Sequence, residues 1–250
     1  MGRSNSLRRA VALLSVLVAL AVMPPPAPAV AAVRAAALAP AALREPVIIV
    51  PGFLERPETM EALRGRFVAA GYPAYVVNLN NAWGIPTVNS QVNGPRVALT
   101  ARWALALHPG AERVHVVGVS YGGVVSRYWM RSLGGLGLVR TYVALGTPER
   151  GVPVTCGLEP YDDYGHLCPT APFMRELNAG DDTPGDVRYT SIISEEDAAQ
   201  TRLDGAVCRV RVPGVAHFGL QDSPDVFRAA LDAIEGRPCA DLFTGTIADP

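Results

Sequence analysis

The stretch VHVVGVSYGG at residues 114–123 decides the fold. Its first part, 114–117, is dominated by β-branched valine, which is typical of a strand buried on both faces of a parallel sheet. The glycine-rich segment 118–123 then predicts a tight turn, and residues 124–133 predict a helix. The stretch therefore predicts a strand, a sharp turn and a helix in immediate succession.

The turn carries the pattern G-x-S-x-G, with Ser120 between Gly118 and Gly122. A serine on a strained turn between strand and helix projects its hydroxyl beyond the strand end, and only glycine fits two positions before and after it. The helix N-terminus supplies N–H groups and a positive dipole end for a developing oxyanion. We predict that Ser120 is a nucleophile, and an ordinary glycine-rich turn with a solvent-facing serine is the alternative.

Strand and helix signals alternate on both sides of this stretch. Further strands are predicted at 47–50, 74–77, 141–145, 187–193 and 206–212. Further helices are predicted at 58–70, 93–107, 171–177 and 224–234. The second of these follows a polar loop at 78–93 and places Pro95 at its first position, where a missing N–H costs nothing. The alternation predicts an α/β fold with a mainly parallel sheet and helices on both faces.

A nucleophilic serine needs a base, and in a strand–turn–helix site of this type the acid and then the histidine follow it along the chain. His108 and His115 precede Ser120 and do not fit that order. His217 follows the predicted strand 206–212, where binding and catalytic groups collect in open α/β sheets. We predict His217 as the base. His166 and a non-catalytic surface histidine are the alternatives.

The acid should follow a strand between the serine and the histidine. Asp197 comes shortly after the predicted strand 187–193 and is our predicted acid. It would orient the imidazole and stabilise its protonated form. Glu195 and Glu196 compete with it, as does Asp204, although Asp204 and the glycine after it favour a turn into the next strand.

An oxyanion hole requires two N–H donors, one from the residue after the nucleophile and one from a loop after an early strand. Tyr121 is the first of these. Phe53 follows Pro51-Gly52 directly after the strand 47–50 and is the predicted second donor. An ordinary Pro-Gly turn is the alternative for that segment.

The N-terminus has the order of a secretory signal: arginines, an apolar run at 10–23, prolines and small residues. We predict a signal peptide at 1–29, a leader at 30–45 and a catalytic domain at 46–250, and therefore a secreted protein. A membrane anchor is the alternative, but the apolar run is shorter than the roughly 20 residues of a spanning helix.

Composition excludes several classes of function. The net charge of −1 implies no nucleic-acid partner. All 22 basic residues are arginine, which excludes P-loop, Schiff-base and Ser-Lys chemistry because each needs a lysine amine. Four cysteines behind a signal peptide favour disulfides, and we predict Cys156–Cys168 and Cys208–Cys239. Other pairings and free thiols are the alternatives. The sequence contains no C-x-x-C pair, which would indicate a zinc site, and we predict no metal.

The chain resembles the small secreted bacterial lipases of the α/β-hydrolase superfamily, those of the Bacillus lipase A type. The motifs that carry the resemblance occur in order from residue 46 to residue 234: VPGF at 50–53, NGP at 93–95, GVSYGG at 118–123, LGTP at 145–148, YTSIISEED at 189–197, LDGA at 203–206 and GVAHFGL at 214–220. The resemblance implies the nucleophile Ser120, the acid Asp197 and the base His217, with oxyanion amides on Phe53 and Tyr121.

Three features depart from that family. Pro51 stands where the family usually has histidine, and Tyr121 stands where it often has methionine. The segment 152–186 looks longer than in the minimal form and carries two cysteines. It could shape or cover the acyl pocket, and the substrate range therefore does not follow from the resemblance.

We expect hydrolysis of carboxylic esters through an acyl-enzyme, without a cofactor, by a monomer that meets small-molecule or lipid esters and contacts a lipid interface transiently. An acyltransferase, a thioesterase or a polyester hydrolase of the cutinase type could use the same three residues. A non-catalytic binding protein with this fold is the alternative from another class of function.

Overall fold

The computed structural model describes residues 44–158, 165–194, 203–205 and 207–238. The predicted signal peptide at 1–29 lies outside these residues, as does all but the end of the predicted leader at 30–45. The predicted acid Asp197, its neighbours Glu195 and Glu196, and Cys239 lie outside them as well.

Within the described residues, six strands form one sheet in which all neighbours are parallel. They are β1 (Val47–Val50), β2 (Ala74–Val76), β3 (Val114–Val119), β4 (Val139–Leu145), β5 (Arg188–Ser194) and β6 (Val207–Val212). The spatial order is β2-β1-β3-β4-β5-β6, so β3 and β4 occupy the centre. The predicted parallel sheet is confirmed.

Helices cover both faces of this sheet, as the sequence predicts. They are α1 (Glu61–Ala69), α2 (Ser90–Leu107), α3 (Tyr121–Ser132), α4 (Pro172–Leu177) and α5 (Pro224–Glu235). One apolar cluster joins one face of the strands to α2, α3 and α4, and a second joins the opposite face to α1 and α5. Successive strand residues alternate between the two clusters, for example Ile48 and Ile49, as the pleat of a strand requires. The central strands are thereby shielded on both sides and hold the loops at their C-terminal ends on a rigid base.

The predicted start of α2 is wrong by three residues. The helix begins at Ser90, and the Asn89 side chain caps it by accepting hydrogen bonds from the N–H groups of Gln91 and Val92, at 2.9 and 3.2 Å. Pro95 consequently lies inside the helix and not at its first position. The polar appearance of 78–93 concealed the cap, because Asn89 is an N-cap residue and not merely a loop residue.

The turn between β3 and α3 is also shorter than the predicted segment 118–123. β3 continues to Val119 and α3 begins at Tyr121, so Ser120 alone makes the turn. The remaining predicted elements agree with the observed ones to within a few residues. The described residues contain no helix with both the length and the apolar character needed to cross a bilayer.

Candidate active site

Ser120 has a strained backbone conformation at the C-terminal end of the central strand β3. Its φ of 49° and ψ of −122° place it in a region that L-residues rarely adopt, and Leu54 is the other described non-glycine residue with positive φ. Such conformations cost about 1–3 kcal/mol and persist only where surrounding contacts enforce them. Here the Ser120 N–H donates to the Leu145 carbonyl at 2.7 Å, and the Ser120 carbonyl accepts from the Gly123 N–H at 3.0 Å. These hydrogen bonds therefore stabilise the strained Ser120 backbone, which directs the hydroxyl outward.

The glycines around Ser120 are required by close packing, as the motif predicts. A Cβ at Gly118 would lie 2.5 Å from the Cα of Gly123. A Cβ at Gly122 would lie 2.1 Å from the Val50 carbonyl oxygen and 2.5 Å from that of Pro51. The first turn of α3 is thus pressed against the end of β1, which brings the segment after β1 next to the serine.

We predict that Gly122→Ala destabilises the protein by about 1–3 kcal/mol, because the atoms that its Cβ would meet belong to backbone and cannot swing aside. Gly65→Ala on α1 is the matched control, since a Cβ there meets nothing within 4 Å. The control should gain about 0.5–1 kcal/mol from reduced chain entropy. Urea unfolding of both variants measures the two effects. An unchanged midpoint for Gly122→Ala would contradict the packing described here.

His217 lies opposite Ser120. Its Nε2 is 2.8 Å from the Ser120 Oγ, which is the distance that proton transfer between a nucleophile and its base requires. His217 begins a short 3₁₀ helix, His217–Gly219, that follows β6. The Ser194 hydroxyl, at the end of β5, donates to the Val215 carbonyl and so ties this segment to the sheet. Two residues that are 97 positions apart are therefore brought into direct contact.

The other three histidines have different surroundings. His166, the alternative base, has its Nε2 2.9 Å from the Ser90 hydroxyl and its ring against Tyr121 and Phe173.

His115 is buried near the start of β3, and burial lowers its pKa to about 4. His108 is 2.6 Å from the Tyr75 hydroxyl. His217 is thus the histidine that the structure places on Ser120.

Asp204 lies in the bend before β6, where the sequence favoured a turn. Its carboxylate pairs with Arg150, and its N–H donates to Asp182 at 2.8 Å. The Gly205 N–H donates to the same carboxylate at 2.9 Å. Burial raises the pKa of Asp182, but these two N–H groups and Arg150 outweigh burial and the net shift is downward. The contacts of Asp204 are those of a turn residue. The other candidate acid, Asp197, follows the end of β5 at Ser194 by three positions in the sequence.

The two predicted oxyanion donors come from neighbouring segments. Tyr121 is the first residue of α3, directly after Ser120, and Phe53 follows β1, the strand beside β3. The Tyr121 hydroxyl accepts hydrogen bonds from the Ser90 hydroxyl at 3.3 Å and the Asn93 side-chain amide at 3.2 Å. These bonds fix the buried Tyr121 ring and join the start of α2 to the start of α3.

Local sequence patterns do not reveal the supporting side chains around the site. Ser90 lies in the predicted polar loop and Asn93 at its edge, although Asn93 belongs to the NGP motif. Glu55 belongs to none of the motifs. Its Oε2 accepts from the Gly52 N–H at 2.7 Å, three residues back. Nothing in the local sequence indicates that this carboxylate faces the candidate site.

The disulfide Cys156–Cys168 is present and closes part of the segment between β4 and α4. Cys208 lies in β6, and its predicted partner Cys239 is outside the described residues. The pair Cys208–Cys239 therefore stays a prediction. In the described ranges, no three His, Cys, Asp or Glu side chains are grouped so that they could hold a metal ion.

No family model matches the sequence. Among solved structures, a mature lipase of Bacillus licheniformis is similar with a TM-score of 0.64 and 15% identity, over 78% of this chain and 94% of that one. Lipase B of Aspergillus fumigatus is similar with a TM-score of 0.61 and 20% identity, over 78% of this chain and 53% of the fungal one, so the chain spans about half of that enzyme. The protein has an α/β-hydrolase fold.

A thermophilic esterase from Thermogutta terrifontis shares the α/β-hydrolase fold, with a TM-score of 0.54 and 14% identity over 77% of this chain and 90% of that one. The resemblance to Bacillus lipase A in particular stays a prediction. The departure at Pro51 is compatible with the α/β-hydrolase fold, because Pro51 is buried and directs its carbonyl toward Gly122. Tyr121, the second departure, is held in place by the hydrogen bonds that its hydroxyl accepts from Ser90 and Asn93.

Proposed function

We propose that this protein hydrolyses carboxylic esters, with Ser120 as nucleophile, His217 as base and Asp197 as the acid that orients His217. The observation that carries the proposal is the 2.8 Å contact between the Ser120 Oγ and the His217 Nε2 at a strained turn between strand and helix. A serine hydroxyl is a weak nucleophile until a base accepts its proton, and this contact provides the base.

The reaction would proceed in two halves. Ser120 Oγ attacks the acyl carbon while its proton moves to His217, which then protonates the leaving alcohol as the ester C–O bond breaks. Water attacks the acyl-enzyme with His217 again as base, the carboxylic acid departs and Ser120 is regenerated. The N–H groups of Phe53 and Tyr121 would stabilise the oxyanion, each contributing about 10²–10³ in rate. These steps require no cofactor.

Large apolar side chains are exposed on loops that follow the strands. We call them the apolar rim: Phe53 and Leu54 after β1, Trp83 and Ile85 after β2, Val154 and Leu158 after β4, and Phe218 after β6. Because all strands are parallel, the loops after them leave the same edge of the sheet, which is also where Ser120 lies. The apolar rim supports esters with apolar acyl chains as substrates and transient contact with a lipid interface.

The acyl-chain dependence tests this choice of substrate. We predict that kcat/KM on p-nitrophenyl esters rises from acetate toward medium-chain acyl groups. Trp83→Ser, which changes a rim residue that is 86% exposed, should lower activity on emulsified triacylglycerol several-fold and leave activity on soluble short esters unchanged. Leu99→Ser is the control, because Leu99 is 70% exposed but lies within α2, away from the rim. A rate maximum at acetate, together with no effect of Trp83→Ser, would contradict a lipid substrate and indicate a short-chain esterase.

The disulfide supports the proposal that the protein is secreted. Disulfides form and persist in oxidising compartments, and the structure contains the disulfide Cys156–Cys168. The signal sequence predicted at 1–29 is the second support.

A further inference from the structure

One carboxylate connects two loops that leave strands far apart in the sheet. Glu55 follows β1 and Gln221 follows β6, and three strands separate β1 from β6. The Glu55 Oε2 accepts from the Gly52 N–H at 2.7 Å, and its Oε1 accepts from the Gln221 Nε2 at 3.3 Å. We call these two hydrogen bonds the Glu55 bridge.

Each end of the Glu55 bridge lies next to a proposed catalytic group. On one side, Gly52 directly precedes Phe53, whose N–H is the second proposed oxyanion donor. On the other side, the same Gln221 Nε2 also donates to the Phe218 carbonyl at 3.1 Å, and Phe218 directly follows His217. The bridge therefore contacts both the oxyanion segment and the segment that carries the base.

The turn at Gly52 depends on Glu55 for its shape. The Glu55 N–H donates to the Gly52 carbonyl at 3.3 Å, while the Glu55 side chain accepts from the Gly52 N–H, so the two residues close the turn reciprocally. Within this turn Leu54 has a φ of 56°, which a leucine rarely adopts. A Cβ at Gly52 would lie 2.5 Å from the Glu55 Oε2, so the carboxylate occupies the space that only glycine leaves open.

The charges around Glu55 also connect it with the base. Burial raises the pKa of Glu55, whereas the Gly52 N–H and the nearby His217 lower it and Asp222 raises it, and the net shift is upward. On the other side of the loop, Arg66 of α1 donates to the carbonyls of Gln221 and Asp222, at 3.4 and 2.7 Å. These backbone contacts leave the Gln221 side chain directed at Glu55.

We propose that Glu55 is a positioning residue, which holds the oxyanion segment at Gly52–Phe53 and the His217 segment in fixed relation to each other. This inference rests on the proposed ester hydrolysis. Glu55 touches no reacting atom in this account. It acts through the placement of Phe53 and His217, and misplacement of such groups by about 1 Å can cost about 10²-fold in rate.

The test compares Glu55→Ala with Glu58→Ala, an exposed acidic residue in the next turn of the chain. We expect Glu55→Ala to lower kcat on a soluble p-nitrophenyl ester by about 10–100-fold with KM changed by less than about twofold. Glu58→Ala should match the wild type. In hydrogen exchange, amides of 52–55 and of 217–222 should both exchange faster in Glu55→Ala, although the two segments are distant in sequence.

Glu55→Gln separates a lost bridge from a misfolded protein. It retains the size of the side chain and an acceptor for the Gly52 N–H, but it sets a second amide NH₂ against that of Gln221. Its kcat should therefore fall between that of the wild type and that of Glu55→Ala. A wild-type kcat in Glu55→Gln and Glu55→Ala, or unchanged exchange at 217–222, would overturn the role of Glu55. Absence of ester turnover by the wild type would instead refute the proposed function, and the exchange measurement would still decide whether the bridge exists.

Discussion

Removal of either member of the Ser120–His217 pair lowers kcat for ester hydrolysis by about 10⁵–10⁶-fold, and removal of both lowers it little further. The two side chains act as one unit, because His217 takes the Ser120 proton across the 2.8 Å contact while Ser120 attacks the acyl carbon. Without His217 the Ser120 hydroxyl is a weak nucleophile, and without Ser120 the imidazole has no nucleophile to activate. Non-additivity is thus the kinetic signature of this geometry.

The measurement is kcat on a chromogenic ester for Ser120→Ala, His217→Ala and the double variant. Ser132→Ala at the end of α3 and His108→Ala, whose ring contacts Tyr75, are the matched controls. Both should keep activity within about twofold, because neither side chain contacts Ser120 or His217. Folded Ser120→Ala that retains more than about a hundredth of wild-type kcat would exclude this residue as the nucleophile.

Loss of one partner of the buried Arg127–Glu149 ion pair should destabilise the protein by about 3–5 kcal/mol, because it leaves the other charge buried and unpaired. The side chains are 1% and 0% exposed, and the Arg127 Nη1 lies 3.1 Å from the Glu149 Oε2. Burial raises the pKa of Glu149, while Arg127 and the Tyr142 hydroxyl act to lower it. Arg127 also donates to the Leu177 carbonyl and the Asn178 side chain, so it connects α3 with α4.

Urea unfolding of Glu149→Ala measures this cost. The exposed pair Glu61–Arg64 on α1 is the control, and Glu61→Ala should change stability by less than about 1 kcal/mol. The double variant Arg127→Met/Glu149→Leu should recover part of the loss, because it removes both charges, but the carbonyl of Leu177 then lacks its donor. Equal effects of Glu149→Ala and Glu61→Ala would contradict the role assigned to the buried pair.

The parts of the fold that were predictable from sequence are those that local patterns determine. The valine-rich strand β3 and the glycines around Ser120 each follow from a few adjacent residues. The start of α2 was not predicted, because its cap Asn89 lies in a polar stretch that has the composition of a loop. The bond from the Asn93 side chain to Tyr121, a residue of another helix, does not follow from any local pattern.

Buried polar contacts between segments that are distant in sequence could not be predicted either. An arginine and a glutamate are expected at the surface, and burial of Arg127 with Glu149 becomes evident only when α3 and the segment after β4 are in place. Glu55 is 166 positions from Gln221. In contrast, the contact of His217 with Ser120 could be predicted, because the expected chain order of nucleophile, acid and base left few candidates among four histidines. Asp197 as the acid stays a prediction.

Covalent labelling tests the central claim most directly. A fluorophosphonate probe phosphonylates only a serine that a neighbouring base activates, and peptide mass spectrometry then locates the adduct. We expect one adduct, on Ser120, with no labelling of Ser120→Ala and labelling of His217→Ala slowed by several orders of magnitude. An unlabelled wild-type protein, or an adduct on another residue, would contradict the account.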